Sequence, residues 1–320
     1  MRSALIPNIL RDSLERLARP IRPAELAASA ERLSLAYRSA KPAPIVRRPD
    51  LAAYAITRLP ATYAALACVF SELPDAPATM VDFGAGPGVS VWAGREIFGP
   101  ELRATLIEQN TNWPALAAEL GLAGEGVTWR LADVRRLMAP PEAHDLAVAS
   151  YVLNELSSEA RTRLVRMAWA AAGRWLVLVE PGTPAGFQHI LAARQTLVEL
   201  GAQLLAPCPH GLPCPLQAPD WCHFAVRVER TRAHRAAKGG ALGYEDEKFA
   251  YVIASREPVP ADSARVLRHP LHAPGHIELK LCTPSGIETR GVRKRDAEWK
   301  GARKVAWGER WPKLVAEAGD

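Results

Sequence analysis

Two stretches of this chain carry residue types whose spacing suits ligand chemistry. In the first, Val81-Asp-Phe-Gly-Ala-Gly-Pro-Gly88, an apolar run (79–83) containing Asp82 gives way to Gly84, Ala85, Gly86 and Gly88. Glycine lets the backbone turn tightly and approach a ligand where a Cβ would clash, which predicts a ligand-binding turn between a buried strand and a helix. The spacing G-x-G-x-G is not the G-x-G-x-x-G of a dinucleotide site. In the second stretch, 206–224, Cys208, Cys214 and Cys222 stand among five prolines and a glycine. Proline removes amide donors and excludes a regular helix or central strand, so this loop must be held by something other than a backbone ladder. A metal would hold it, with Cys282 joining from a separate segment as the fourth ligand.

The metal type stays open on the residues alone. The spacing C-x5-C-x7-C lacks the C-x2-C knuckles of structural zinc, while Cys208 and Cys214 are each followed by proline, as in ferredoxin-type iron–sulfur ligation. His210 and His223 are available as substitute ligands. Cys68, inside the apolar run 63–70, reads as a small core residue.

Positioning these residues requires a sheet. Apolar runs at 79–83, 102–108, 127–133, 145–151 and 175–180 alternate with helical stretches, which predicts a parallel sheet with ligand sites at the carboxyl ends of its strands. The second run ends at Glu108 and the third at Asp133. Helical patterns at 9–17, 24–37 and 50–73, broken by prolines and with a kink near Pro60, form a helical region over 1–75. The central domain spans 76–256, with a crossover helix at 159–172, a long amphipathic helix at 184–205, the Cys-rich insertion at 206–224, and strands at 223–229 and 248–256 joined by a basic linker. Short strands at 265–269, 276–282 and 286–292 make residues 257–320 a small β appendage with a basic tail.

Composition bounds the partners. At 320 residues, 48% hydrophobic and 23% charged, the chain can bury a core. A net charge of +6 and a pI near 9.2 favour an anionic partner. Residues 290–304 hold seven basic side chains against two acidic ones, with Trp299, Trp307 and Trp311 interleaved or nearby as stacking surfaces, which favours nucleic acid. No apolar run approaches the roughly 20 residues that cross a bilayer. The first twenty residues mix four arginines with Asp12 and Glu15 and carry no continuous apolar core, so the expected location is cytoplasmic.

The glycine loop resembles motif I of the class I S-adenosylmethionine-dependent methyltransferases. Together with Ser-Tyr-Val-Leu-Asn-Glu-Leu (150–156), Val-Glu-Pro-Gly (179–182), the cysteine loop and the closing Lys-Arg…Trp-Gly pattern, the chain from about residue 50 onward resembles the methyltransferase-like family associated with assembly of the small ribosomal subunit in bacteria and mitochondria. The resemblance implies an α/β, Rossmann-like class I fold. Asp82, Gly84, Ala85, Gly86 and Gly88 would hold S-adenosylmethionine, with Glu108 on its ribose and Asp133 and the Val134 amide at its adenine. It implies a [4Fe–4S] cluster on Cys208, Cys214, Cys222 and Cys282, with zinc as the alternative. The implied partners are the small subunit and its ribosomal RNA, with neither membrane nor DNA.

After the fourth run, Ala149-Ser-Tyr-Val-Leu-Asn-Glu155 has neither the Asn/Asp-Pro-Pro-Tyr/Phe of amino-methylating enzymes nor a nucleophilic cysteine, so no catalytic residue is assigned. The leading expectation is an assembly factor that uses a cofactor-bound fold as a platform. An active ribosomal RNA methyltransferase is the alternative, and a small-molecule methyltransferase with a structural zinc loop is a weaker one.

Overall fold

The computed structural model describes residues 2–38, 45–122, 124–240, 242–260 and 263–312. A short strand, β1 (Arg2–Ala4), leads into helices α1 (Asn8–Ala18), α2 (Pro23–Arg38) and α3 (Arg48–Phe70). Strands and helices then alternate through β2 (Thr79–Phe83), α4 (Val89–Phe98), β3 (Arg103–Glu108), α5 (Trp113–Glu119), β4 (Val127–Leu131), β5 (His144–Ser150), α6 (Ser158–Ala171), β6 (Ala172–Pro181) and α7 (Pro184–Glu199). The central sheet is completed by β7 (Gln203–Ala206), β8 (Phe224–Glu229), α8 (Arg232–Lys238) and β9 (Tyr244–Ser255). Last come β10 (Ala264–Val266), β11 (Leu271–Ala273), β12 (His276–Thr283), β13 (Gly286–Arg293), α9 (Trp299–Ala302) and β14 (Arg310–Trp311).

The central sheet has the order β1-β8-β9-β6-β5-β2-β3-β4, with β7 also on β9. Strands β6, β5, β2, β3 and β4 are mutually parallel, and β9 runs antiparallel to β6, β7 and β8. The order reverses direction between β2 and β5, which places a ligand crevice at their carboxyl ends. The parallel-rich sheet is the one that the alternating runs predict, and its order is the α/β class I methyltransferase-like one that the resemblance implies.

Both faces of the sheet are covered, and that explains why its strands read as continuous apolar runs. Trp175, Val177 and Val179 of β6 pack in one core with α1–α5 and α8, while Leu176 and Leu178 pack in another with α6 and α7. The N-terminal helices therefore share a core with the sheet. Helix α3 runs unbroken through Pro60, although a kink or interruption is expected there, because nearly all of its length is packed inside the protein. By length and composition α3 also has the makings of a membrane span, but it is mostly buried here.

Other differences have local causes. The expected helix over 184–205 ends at Glu199, where Gly201 takes φ +80°, and the chain re-enters the sheet as β7. The basic linker contains α8, capped by the Thr231 hydroxyl, which accepts the His234 N–H, and closed by left-handed Gly239. The expected breaks at Pro42 and Pro44 and the last eight residues of the appendage lie outside the described residues.

Strands β7 and β8 lie end to end along one edge of β9. Ala206 pairs with Ile253 and Phe224 with Phe249, which leaves 250–252 facing a gap. The cysteine loop is the excursion of the chain out of that gap. A second sheet, β11-β12-β10-β14 with β13 on β12, encloses its own small core of Val266, Ile277, Leu279, Leu281, Val292 and Trp311.

Candidate functional site

The glycine turn after β2 has all three glycines at positive φ, Gly84 +76°, Gly86 +53° and Gly88 +78°. A Cβ on Gly84 would fall 2.8 Å from Val152 Cγ2, so Gly84 serves packing. At Gly86 a Cβ would meet nothing within 4 Å, so there the backbone faces open space. The Gly86 N–H donates to Glu108 Oε2 at 2.9 Å, and the Gln109 and Asn110 amides donate to Oε1 at 2.8 Å each. A carboxylate offers about four acceptor positions, so a buried Glu108 keeps room for one more donor.

Asp82 is fully buried beneath the turn. Its Oδ2 accepts the Ser90 hydroxyl, and its Oδ1 has no hydrogen-bond partner among the described residues. Burial, reinforced by the Glu108 charge and opposed by the Ser90 bond, raises its carboxyl to about 7. Asp133 follows β4 rather than ending it and caps a single 3-10 turn (Val134–Arg136) by accepting the Arg135 N–H. The Arg135 side chain also grips Asp133, with Nη2 at 2.8 Å, and holds its carboxyl below the usual range. Val134 packs half-buried beside it.

The cleft takes further groups, one of them from the stretch 149–155 in which the sequence assigned no catalytic residue. Tyr151, directly after β5, is the non-glycine residue at positive φ (+58°) among the described residues, and its hydroxyl donates to Glu247 Oε1 of β9 at 2.9 Å. Tyr54 on α3 lies close enough to Arg58, Glu155 and Glu108 to feel their charges, and burial raises its phenol to about 12. The helical N-terminal region, in which the sequence assigned no site residue, therefore brings Tyr54 and Arg58 to the cleft. Their signal was Arg58, the one charged residue beyond the first turn of the alanine-rich α3.

The second site lies at the gap between β7 and β8. Cys208, Cys214, Cys222 and Cys282 line one cavity there with Arg194 and Arg265. All four are free thiols, and Cys282 comes from β12 of the second sheet. Burial, and then the neighbouring sulfurs, push Cys282 up to about 12 and Cys222 well above the ordinary thiol value. His210 Nε2 is 3.8 Å from Cys282 Sγ, whereas His223 is stacked on Trp221 with centroids 4.9 Å apart.

A single zinc with four sulfurs at about 2.3 Å would draw those sulfurs close together. Among the described residues, no group of three or more His, Cys, Asp or Glu side chains is drawn together closely enough to hold a metal ion as it stands. Cys68 sits apart, against the core around α3.

Side chains hold the proline-rich loop. The Trp221 indole donates to Gly182 O at 3.0 Å, Lys280 Nζ donates to Asp220 Oδ2 at 2.8 Å, and Arg268 pairs with Asp220. Arg265, 2% exposed, donates to Pro207 O at 3.2 Å and forks onto both Glu72 oxygens at 3.0 Å.

Strand β13 and the segment after it expose Arg290, Arg293, Lys294, Arg295, Lys300, Arg303 and Lys304. The tryptophans do not form the expected stacking surface. Trp311 is 4% exposed, Trp299 packs on the small core, and Trp307 is wedged edge-on against His223 and His269.

Comparison with known proteins places this architecture. Residues 48–312 match the family described as mitochondrial small ribosomal subunit Rsm22. The chain is 31% identical over 298 residues to the human mitochondrial ribosome assembly protein METTL17, covering 83% of this chain and 63% of that protein. It is 23% identical over 325 residues to the Rsm22-cox11 tandem protein 2, mitochondrial, of Schizosaccharomyces pombe, covering 82% of this chain and 43% of that one. The chain thus spans less than two thirds of these relatives. A solved S-adenosylmethionine-dependent methyltransferase from Aquifex aeolicus is 14% identical, with a TM-score of 0.39, covering 62% of this chain and 92% of that one.

These names overturn the expected cytoplasmic location, because the family and both relatives are described as mitochondrial. Charge and apolar run length, on which that expectation rested, do not separate the two compartments. By the extent of the family match and the identity to METTL17, the chain belongs to the Rsm22 family.

Proposed function

We propose that this protein is an assembly factor for the small ribosomal subunit, which uses a cofactor-bound methyltransferase fold as a platform and a four-cysteine centre to fix an RNA-facing sheet onto it. One observation carries the reading: Cys208, Cys214 and Cys222 of the loop and Cys282 of the second sheet line one cavity. Four thiols lining one cavity, two of them followed by proline, would hold a [4Fe–4S] cluster, with zinc as the alternative. When bound, such a cluster would cross-link the loop to β12 and supply one-electron redox chemistry. Thiolates must form for it to bind, so loading releases protons and couples to order in the loop.

At the glycine turn, Asp82, Gly84, Ala85, Gly86 and Gly88 would cradle S-adenosylmethionine. Glu108 has an acceptor position for a ribose hydroxyl, while Asp133, shared with Arg135, and Val134 lie where the adenine would sit. When bound, the cofactor carries an electrophilic methyl group. The exposed basic residues of β13 and of the segment after it would meet ribosomal RNA through its phosphates.

Purification without oxygen, followed by iron, sulfide and zinc analysis and by sedimentation with isolated small subunits, tests the reading. Iron and sulfide near four each per chain, with co-sedimentation, is the expected result. Zinc alone, or a loaded protein that leaves the subunit untouched, contradicts it.

Methyl transfer to ribosomal RNA is the second reading. It draws on Tyr151, whose left-handed backbone is the kind of strain that collects at functional sites, and on its bond to Glu247 beside the cofactor turn. A methyl mark on small-subunit RNA that disappears in a Tyr151→Phe strain of normal protein level would favour it.

A further inference from the structure

We infer that Arg194 is the internal counter-ion of the four-cysteine cavity, a positioning residue that holds the loop ready for an anionic metal–thiolate centre and sets that centre's affinity and reduction potential. The inference rests on the proposed reading that the cavity takes a metal centre, and it names a residue that governs it.

Arg194 lies on the inner face of α7 among apolar neighbours that include Phe187 and Ile190, and it is only 3% exposed. Its Nε–H donates to Cys208 Sγ at 3.4 Å, and its Nη2 donates to His210 O at 2.8 Å and Leu212 O at 2.6 Å. The fork therefore grips the loop on both sides of Gly211 while also touching a sulfur. Among the described residues, no carboxylate pairs with it.

Arg265 on the same cavity shows the contrast. It is equally buried, but Glu72 neutralises it through two bonds of 3.0 Å. A buried charge without a counter-charge is costly, and such charges are retained where a partner or metal site completes them. Around Arg194 the groups able to supply negative charge are the cysteines. Four thiolates on a metal centre carry a net negative charge, which would complete the balance. Hydrogen bonds and positive charge at the sulfurs also favour the reduced form of such a centre.

The test compares the full-length wild type with Arg194→Met and Arg194→Lys, each metal-free and after anaerobic reconstitution with ferrous iron and sulfide. The readouts are bound iron and sulfide, thermal midpoint in both states, and reduction midpoint by spectroscopic titration. For Arg194→Met, metal-free protein is expected to melt no lower than metal-free wild type, because an uncompensated buried charge is gone. Its iron affinity should fall roughly 10–100-fold, the usual scale for a residue behind a metal ligand. The potential of any loaded fraction should shift negative.

Arg194→Lys should keep the potential near wild type while losing part of the affinity, because it retains the charge but not the fork. Arg194→Met that destabilises both states alike, or that loads fully with an unshifted potential, would reduce Arg194 to a tie between loop carbonyls and overturn the inference. Failure of the underlying reading looks different: wild type itself then retains no metal. If wild type takes zinc instead of iron, the same affinity comparison run with zinc decides whether Arg194 is the counter-ion.

Discussion

The Gly86 N–H points at Glu108 Oε2 from 2.9 Å, so the turn that would cradle a cofactor is held by the carboxylate proposed to bind its ribose. One residue thus serves the loop's shape and the ligand at once. Glu108→Gln keeps the volume but turns one acceptor oxygen into a donor facing backbone amides. The expected loss is about 1–3 kcal/mol of stability, together with most of the rise in melting temperature that S-adenosylmethionine is expected to give the wild type. A thermal melt with and without cofactor reads both, and an intact cofactor shift in the variant would remove Glu108 from the ribose site.

Asp82 predicts a pH effect with a definite sign. Its carboxyl is raised to about 7 in the folded chain, so the neutral form is the one the fold favours. The contribution is fully present below the unfolded value, near 4, and is lost as pH climbs through about 7. At roughly 1.4 kcal/mol per pH unit, the difference amounts to a few kcal/mol at most. Asp82→Asn stays neutral at every pH. Its stability relative to wild type should therefore grow between pH 4 and pH 7 and level off above, as followed by urea denaturation at each pH; a difference independent of pH would contradict the assignment.

Which parts of this arrangement were legible in the sequence depended on how local their causes were. Strands β2, β3, β5 and β6 show as apolar runs because both sheet faces are covered, and the glycine turn shows because three positions need positive φ. Strand β7 has only four residues, and the expectation of a continuing helix absorbed it. The roles of Arg194 and Arg265 were invisible, because both arise from a gap between β7 and β8 that no periodicity encodes. The tryptophans of the tail were misread for a simpler reason: composition places Trp299, Trp307 and Trp311 near arginines but cannot say that they point inward.

Glu72, in the turn after α3, reaches across the chain to Arg265 and Arg310 of the second sheet. Removing one side of a buried ion pair leaves an uncompensated charge, at a cost of about 3–5 kcal/mol. Glu72→Ala should therefore loosen the second sheet first, seen as faster amide exchange in β10 and β12 than in β2 or β5. The double variant Glu72→Leu, Arg265→Met, which leaves no orphan charge, should recover much of the loss. Uniform exchange across both sheets in Glu72→Ala would show that this pair does not govern their attachment.

The basic face and the tryptophans beneath it can be separated by experiment, because one is expected to meet RNA and the other to hold the second sheet together. Lys294 and Arg295 are exposed, whereas Trp311 is nearly fully buried in the small core with Val266 and Leu281. Reversing the charges, Lys294→Glu with Arg295→Glu, should leave the melting temperature nearly unchanged. It should weaken binding to small-subunit RNA and flatten the salt dependence by about one unit of slope for each phosphate that is no longer neutralised. Trp311→Ala should do the opposite, costing about 3–5 kcal/mol as a large core side chain is removed, with RNA affinity falling only as the second sheet unfolds. If Trp311→Ala instead weakened RNA binding at full stability, the tryptophan would be a stacking surface after all and its burial would have to open on meeting RNA. If the charge reversal left the salt slope untouched, the RNA would have to dock elsewhere on the chain.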